Sequence, residues 1–330
     1  MLEHGGKLKA AAERFGVPLA QWLDLSTGLA PWPFQVPEIP LKAWARLPET
    51  DDGLEAAARQ YYNASQLLAV PGSQAAIQAL PRLRRPGKVA VLSPCYAEHA
   101  EAWRRGGHVV REIADAEVDY FLDSVDVLVV VNPNNPTGRM LSANELLQWH
   151  ARLSQRGGWL VVDEAFMDTT PELSLALHAE RPGLVVLRSF GKFFGLAGVR
   201  LGFVLGEGRL LRLLAEQIGP WAVPGPTREV GRACLLDVAA QRAQVERSLA
   251  ASQRLAALLA AHGYAPQGGC ALFQWFCTAH ALALHEHMGA RGILLRLFVH
   301  NSSLRLGLPP DDAGFERLAD ALEAFSTCQP

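Results

Sequence analysis

The sequence predicts an α/β protein with a mostly parallel sheet in a large domain and a smaller α+β domain after it. Short runs rich in valine and leucine, with helical patterns between some of them, are typical of buried parallel strands. These runs span residues 88–92, 126–131, 159–163, 184–190 and 201–205. We expect an N-terminal arm at 1–45 that packs on the small domain, a large domain at 46–225, and the small domain at 226–330.

Helix signals support this division. Ser142, with Glu145 three residues later, predicts a capped helix that runs to Arg156 before a glycine pair. Beyond residue 226 an alanine- and leucine-rich pattern predicts one long helix that stops at His262-Gly263. The remaining apolar runs predict three short strands at 271–277, 293–299 and 303–308, and then a last helix that begins near Asp311 or Asp312.

The composition excludes several classes of protein. With 330 residues, of which 49% are hydrophobic and 19% charged, the chain is long and apolar enough to bury a large core. A formal net charge of −2 provides no field that attracts nucleic acid or anionic lipid. No apolar run reaches membrane-spanning length, and the first six residues lack the apolar stretch of a secretory signal. Five cysteines without a close pair indicate reduced thiols in a cytoplasmic protein.

One cluster of potential metal ligands lies near the C-terminal third of the chain. Cys277, His280, His285 and His287 fall within eleven positions. The three histidines are not separated by the three or four residues that place ligands on one face of a helix. We therefore interpret the segment as a surface helix and expect no metal.

Four chemically distinctive residues each lie next to a predicted strand, and the first three of them follow or end one. Asn135 lies in Asn-Pro-Asn-Asn-Pro-Thr-Gly, Asp163 ends an apolar run, Lys192 lies in Ser-Phe-Gly-Lys, and Arg200 follows eight residues later. Ligand groups in α/β sheets emerge at the carboxyl ends of the strands. Pyridoxal phosphate needs an amine that forms a Schiff base and a carboxylate that keeps the pyridine nitrogen protonated. Since the chain has only five lysines, Lys192 has few rivals for the amine.

This arrangement, over nearly the whole chain, resembles the fold type I superfamily of pyridoxal-phosphate enzymes, which have the aspartate aminotransferase-like fold. The resemblance implies two roles for Lys192: it binds the cofactor at rest and moves protons once substrate has displaced it. It also implies that Asp163 pairs with the pyridinium nitrogen, that Asn135 donates to the ring hydroxyl, and that Tyr96 stacks on the ring.

The same resemblance implies a phosphate cup and a substrate contact. Ser73 and Gln74, at a predicted helix start, would give backbone N–H groups to the cofactor phosphate. The Ser189 hydroxyl and the Arg200 guanidinium would complete this cup. Arg305 matches the small-domain arginine that binds the substrate carboxylate in a bidentate pair.

Two positions depart from the superfamily pattern. Many members have a tyrosine three residues after the cofactor aspartate, where this chain has Phe166. We therefore expect one hydrogen bond to the cofactor oxygen to be absent and that oxygen to be more basic. Many members also have a tyrosine before Pro48 that reaches the partner subunit's phosphate, and this chain has Leu47 there.

The N-terminal segment points to one family within the superfamily. His4-Gly5-Gly6, followed by Leu-Asp-Leu-Ser-Thr-Gly-Leu-Ala-Pro-Trp-Pro at 23–33, resembles the opening of the threonine-phosphate decarboxylases of cobalamin biosynthesis. That resemblance implies that His4 and Gly5 lie near the active site and help to bind the substrate phosphate, and that Asn135 also faces the substrate. Phe166 is likewise typical of this group. The product would be 1-amino-2-propanol phosphate.

Two alternatives remain open. A histidinol-phosphate aminotransferase has a similar asparagine-rich motif and a phosphorylated substrate, and it would need 2-oxoglutarate. A transcriptional regulator that uses this fold as a ligand sensor would carry a DNA-binding segment ahead of the fold, whereas this chain begins directly in the arm without a basic excess. For all the enzymatic readings we expect a homodimer, because each active site of this fold borrows residues across a two-fold axis.

Overall fold

The structure is a computed structural model and describes residues 5–327. The chain divides into two compact units. The large unit comprises Phe34–Asn135 and Met140–Gln241. The small unit comprises the described residues up to Pro33, the short segment Pro136–Arg139, and the described residues from Arg242 onward. The domain bounds expected from the sequence stay a prediction.

The described residues form thirteen strands and thirteen α-helices. The strands are β1 (Leu23–Asp24), β2 (Leu67–Val70), β3 (Lys88–Leu92), β4 (Val109–Ile113), β5 (Val127–Val131), β6 (Trp159–Asp163), β7 (Leu184–Ser189), β8 (Gly202–Gly206), β9 (Gly268–Cys270), β10 (Phe273–Cys277), β11 (Ile293–Leu294), β12 (Arg296–Phe298) and β13 (Ser303–Gly307). The helices are α1 (Leu8–Phe15), α2 (Leu41–Ala45), α3 (Leu54–Tyr62), α4 (Ser73–Ala79), α5 (Glu98–Arg105), α6 (Val118–Phe121), α7 (Ala143–Ser154), α8 (Phe190–Phe193), α9 (Gly208–Ile218), α10 (Gly225–Leu236), α11 (Val238–Ala261), α12 (Ala281–Ala290) and α13 (Asp312–Thr327).

A seven-stranded sheet in the order β2-β8-β7-β6-β5-β3-β4 is the centre of the large unit. The pairs β7–β6, β6–β5, β5–β3 and β3–β4 are parallel. Every residue of β5 is buried, and so are the valines of β6 and β7. Such strands need apolar residues on both faces because helices cover both faces of a parallel sheet. The predicted α/β fold with a mostly parallel sheet is confirmed.

The strand expected at 201–205 runs in the opposite direction to the prediction. It forms β8, which is antiparallel to both β7 and β2. A parallel crossover needs a dozen or more residues that usually include a helix long enough to span the sheet. The connection between β7 and β8 contains only the four-residue helix α8 and a 3₁₀ turn. The chain therefore turns back beside β7.

The small unit is built on an antiparallel sheet in the order β12-β13-β10-β9. A separate two-residue ladder pairs β1 with β11 in parallel. The run expected as one strand at 293–299 is divided between these two sheets, because Ile293–Leu294 pairs with β1 while Arg296–Phe298 pairs with β13. Among the described residues, no helix combines the length and the apolar character needed to cross a membrane.

Candidate active site

Asp163 ends β6 at the carboxyl edge of the large sheet, and its carboxylate is held from two sides. Nε2 of His99 lies 2.8 Å from its Oδ2. The backbone N–H of Ala165 donates to its Oδ1 over 3.1 Å. The side chains of Asp163 and His99 are only 4% and 1% exposed. These two directed contacts fix the buried carboxylate in one orientation. A fixed orientation suits a carboxylate that is expected to face the pyridine nitrogen of pyridoxal phosphate.

A cation and a helix start meet beside the end of β7. Gly72 has a φ of 78°, and a Cβ built on it would lie 2.7 Å from Nη2 of Arg200. A Cβ on Gly202 would lie 2.5 Å from the backbone N of Ser73, the first residue of α4. Gly202 is the sheet partner of Ser189. Two glycines thus allow a guanidinium, an amide N–H and a hydroxyl-bearing residue to approach one another, as binding of a phosphate dianion requires.

Tyr96 belongs to a chain of side-chain hydrogen bonds. Its hydroxyl donates to Oε1 of Gln74 over 3.1 Å, and Nε2 of Gln74 donates to Glu98 over 3.0 Å. The Tyr96 ring also contacts His99 edge-on, with 6.1 Å between ring centroids. Burial, and then the negative charges of Glu98 and Asp163, raise the pKa of Tyr96 to about 12. Tyr96 is therefore a neutral donor at physiological pH, and its ring orientation is fixed.

Lys192 lies on the single helical turn α8 that follows β7. Its Nζ is 5.7 Å from the centroid of the buried Phe166 ring. An ammonium group over an aromatic face gains a favourable cation–π interaction. The substitution of phenylalanine for tyrosine noted in the sequence therefore lies directly beside the candidate reactive amine.

The asparagine-rich loop after β5 is braced by its own side chains. Asn132 donates to Leu141 O over 3.1 Å and accepts from Leu141 N over 2.8 Å. Asn134 donates to Pro94 O over 2.8 Å. Between them these bonds set the path of the half-buried Asn135. In the small unit, a Cβ on Gly138 would lie 2.2 Å from Gly269 O, so the end of the loop requires glycine there.

The small unit places two arginines next to each other. Arg305 on β13 and Arg296 on β12 are directly opposite in the antiparallel ladder, and side chains at such positions project from the same face. Arg305 is 6% exposed and donates to Ser26 O over 2.8 Å. Burial, and then the positive charge of Arg296, lower the pKa of Arg305 to about 10. An anionic ligand would relieve this repulsion between two cations.

The start of the described chain lies beside the same residues of the small unit. Gly6 N donates to the hydroxyl of Ser26 over 2.8 Å. A Cβ on Gly5 would lie 2.4 Å from Ser26 O, the carbonyl that Arg305 binds. Gly5, Gly6, Ser26 and Arg296 help to line a cavity of about 360 Å³. His4, also expected here, lies outside the described residues.

The structure adds three residues to those singled out from the sequence: His99, Glu98 and Arg296. Tyr96 precedes α5 and His99 is the second residue of that helix, so their edge-on contact is set by the turn between them and no helical spacing marks it in the sequence. Arg296 becomes visible only through the pairing of β12 with β13.

No grouping of three or more His, Cys, Asp or Glu side chains suited to a metal ion occurs within residues 5–327. In the histidine-rich helix α12, Nε2 of His287 lies 2.9 Å from Ala321 O of α13, so this contact engages one of the two ring nitrogens.

Comparison with known proteins identifies the family to which the chain belongs. The family model for class I and II aminotransferases matches residues 42–322, and the chain belongs to this family. It is 65% identical to a threonine-phosphate decarboxylase from Pseudomonas aeruginosa over 98% of both chains. It is 44% identical to another from Sinorhizobium sp. over 97% of both chains. A histidinol-phosphate aminotransferase from Pectobacterium carotovorum is 31% identical over 58% of this chain and 57% of its own length.

A solved structure with a similar fold is the histidinol-phosphate aminotransferase from Sinorhizobium meliloti, crystallised with pyridoxal 5'-phosphate. It is 19% identical, covers 98% of this chain and 96% of its own chain, and superposes with a TM-score of 0.82. The expected aspartate aminotransferase-like fold and the expected resemblance to the decarboxylases are both confirmed.

Proposed function

We propose that this chain is a pyridoxal-phosphate-dependent carboxy-lyase that converts L-threonine O-3-phosphate to (R)-1-amino-2-propanol O-2-phosphate. The observation that carries the proposal is 65% identity, over almost the whole length of both chains, to a protein named threonine-phosphate decarboxylase. The relative named for histidinol phosphate matches little more than half of the chain. The match to the decarboxylase spans both the segments that carry the candidate cofactor residues and the arginine-bearing small unit.

The residues of the large unit fit the cofactor by their chemistry. Arg200, Ser189 and the amide of Ser73 supply positive charge and donors for a phosphate, and Asn135 and Tyr96 supply a donor and an aromatic face. Bound pyridoxal phosphate would supply an aldehyde for Lys192 and a ring that accepts the electrons of the broken bond. We assign the cofactor to these residues and to the side chain of Gln74, which orients Tyr96.

Each remaining residue has a definable task. Asp163, fixed by His99, would stabilise a proton on the ring nitrogen of the bound cofactor by its negative charge. Lys192 Nζ would hold the cofactor and, as a free amine, would be the group that gives a proton to the carbon that has lost the carboxylate. Phe166 beside Lys192 presents an apolar face to this proton transfer and provides no hydroxyl that competes for the proton.

The substrate carries a carboxylate and a phosphate, and the small unit has two neighbouring arginines. Arg305 binds the carboxylate through its guanidinium, and the proposed arm residues His4 and Gly5 contribute to the phosphate site together with Arg296. Decarboxylation requires the bond to the carboxylate to be held perpendicular to the ring, where its electrons overlap the π system. A planar guanidinium fixes a carboxylate in two directions and therefore suits this task.

One assay separates the two activities. The purified protein is incubated with L-threonine phosphate or histidinol phosphate, with and without 2-oxoglutarate, and released carbon dioxide and transferred amine are measured. We expect carbon dioxide from threonine phosphate alone, independent of 2-oxoglutarate. Amine exchange that depends on 2-oxoglutarate would instead identify an aminotransferase and refute the proposal.

Arg305→Lys is expected to lower kcat/KM for threonine phosphate about 10- to 100-fold, mainly through KM. A lysine keeps the charge but offers a single point contact in place of two parallel N–H donors, and a charged hydrogen bond contributes about 1.5–3 kcal/mol. Steady-state kinetics measures the change. Arg317→Lys is the matched control, since Arg317 also donates to main-chain carbonyls, those of Arg291 and Gly292. An Arg305→Lys enzyme as active as the control would exclude Arg305 from substrate binding.

We further propose that the enzyme acts as a cytoplasmic homodimer in cobalamin biosynthesis. Support for a dimer comes from apolar side chains on the surface of the large unit: Leu41 is 80% exposed, Trp44 66%, Leu47 62% and Trp221 59%. Exposed apolar patches mark interaction surfaces. Light scattering at micromolar concentration tests the assembly, and a mass of one chain would refute it.

A further inference from the structure

A buried cluster of charges lies beneath the candidate active site in the large unit. Arg188 on β7 immediately precedes Ser189, and Glu164 immediately follows Asp163. Side chains alternate between the two faces of a strand, so Arg188 points away from the face of Ser189. Glu164 N donates to Leu187 O and thereby continues the ladder between β6 and β7. The cluster thus joins the two central strands where the reactive residues leave them.

Arg188 binds two carboxylates at once. Its Nη1 donates to Glu164 over 2.9 Å and its Nη2 donates to Asp168 over 3.1 Å. Glu164 also accepts from the Ser174 hydroxyl over 2.5 Å and from Leu175 N over 2.8 Å. All three charged residues are at most 6% exposed. One guanidinium therefore fixes β7, residues 164–168 and residues 174–175 to one another.

Two paths lead from this cluster to Lys192. Asp168 accepts from the Tyr61 hydroxyl over 3.1 Å, and the Tyr61 ring lies 5.6 Å from that of Phe194. Phe194 in turn stacks on Phe190, with 4.3 Å between centroids, so this path supports the helical turn that carries Lys192.

The second path reaches the amine through Phe166. Phe166 lies in the segment between Glu164 and Asp168, whose two carboxylates Arg188 binds. Its ring is 5.7 Å from Lys192 Nζ. The same guanidinium therefore anchors both the turn that carries the amine and the aromatic ring that faces it.

The charges of the cluster are better suited to fixing the positions of the segments that they join than to raising the stability of the folded chain. Burial raises the pKa of Glu164 and of Asp168, and the Arg188 cation only partly opposes that rise. Buried ion pairs often contribute no more net stability than apolar side chains of the same volume, because desolvation offsets the Coulomb attraction. What such a cluster does provide is a single arrangement of the segments that it joins.

We propose that Arg188, Glu164 and Asp168 are positioning residues that hold the Lys192 amine in place relative to Asp163, although none of the three touches a reacting atom. The kinetic part of the test rests on the proposed function. The spectroscopic part needs only bound cofactor and therefore tests the positioning role whatever the reaction is.

Asp168→Asn removes one charge from the cluster and keeps its shape. We expect kcat to fall at least about tenfold in Asp168→Asn with KM changed less than about twofold, since small displacements of a reacting group reduce rate strongly. The absorbance of the cofactor bound to Lys192 should change with pH. In Asp168→Asn the midpoint of that change should shift by about half a pH unit or more. Tyr61→Phe, which removes only the hydroxyl that donates to Asp168, should change both quantities in the same direction by less.

The chain offers a matched control of the same chemistry. Arg228, 4% exposed, donates to Asp52 and to Glu55 over 2.6 Å each. Within residues 5–327 its side chain makes no hydrogen bond or ion pair with the segments that carry Asp163 or Lys192. Arg228→Met should lower the melting temperature while the absorption midpoint and kcat stay at wild-type values. If Asp168→Asn and Tyr61→Phe lower only the melting temperature, as the control does, the positioning role is refuted. A wild-type enzyme that releases no carbon dioxide would refute the proposed function instead, and the absorption midpoints would still decide this inference.

Discussion

Replacement of Lys192 by alanine is expected to reduce carbon dioxide release about 10³-fold or more. The side chain has two tasks in the proposed mechanism, covalent binding of the cofactor and proton transfer to the product carbon. General acid–base catalysis alone contributes about 10²- to 10⁴-fold. A 10³-fold loss corresponds to about 4 kcal/mol of transition-state stabilisation. Single-turnover kinetics with threonine phosphate measures this loss without interference from slow cofactor exchange.

Two further measurements make the Lys192 result specific. Borohydride reduction followed by peptide mapping should place the cofactor on Lys192 in the wild type and find no adduct at that position in Lys192→Ala. Lys88→Ala is the control, because Lys88 is exposed at the amino end of β3, at the edge of the sheet opposite to Asp163. Label on another lysine of the wild type, or a Lys192→Ala enzyme with a rate near that of Lys88→Ala, would contradict the assignment.

The central strands were predictable from sequence because each is buried on both faces. The predicted strands at 88–92 and 159–163 coincide with β3 and β6. The predicted N-cap Ser142 accepts from Glu145 N over 3.2 Å, as the capping rule requires. In these places the local sequence pattern matches the environment in the folded chain, so the sequence alone is enough to predict the strand or the start of the helix.

Strand direction and edge strands were not predictable in the same way. The apolar run of β8 looks like the runs of the parallel strands, because burial sets its composition. Its direction depends on the preceding connection, which has no helix long enough to cross the sheet. The edge strand β4, Val-Val-Arg-Glu-Ile, has only one buried residue, Ile113. A strand that meets solvent on one side has no continuous apolar run and was missed for that reason.

The residues of the candidate site likewise divide into those that a local sequence pattern marks and those that only the fold brings together. Lys192, Asp163 and Asn135 could be proposed from the sequence because motifs within one segment mark them. The residues that hold them in place come from other segments: His99 acts on Asp163 from α5, and Arg188 joins strands that only the sheet order makes neighbours. A contact between distant segments leaves no local pattern, so these residues emerge only when the fold is known.

Asp163→Asn is expected to lower kcat about 10²- to 10³-fold while the cofactor remains bound. The amide has the shape of the carboxylate and keeps an oxygen that can accept from Ala165 N, so the buried site should stay folded. It lacks the negative charge that stabilises a proton on the ring nitrogen, and loss of one preorganised electrostatic contact costs about 10²- to 10³-fold in rate. The phosphate cup and Lys192 are untouched, so cofactor content, measured by absorbance, should remain near one per chain.

Asp126→Asn provides the matched comparison for this experiment. Asp126 precedes β5 at the amino edge of the same sheet, and its carboxylate accepts from Lys88 N over 2.7 Å, much as Asp163 accepts from Ala165 N. Both variants lose one charge and keep one acceptor, and they differ in the edge of the sheet on which they lie. Because only the carboxyl edge carries Lys192, Asp126→Asn should turn over at the wild-type rate. Equal rates for Asp163→Asn and Asp126→Asn would mean that the charge of Asp163 takes no part in the chemistry.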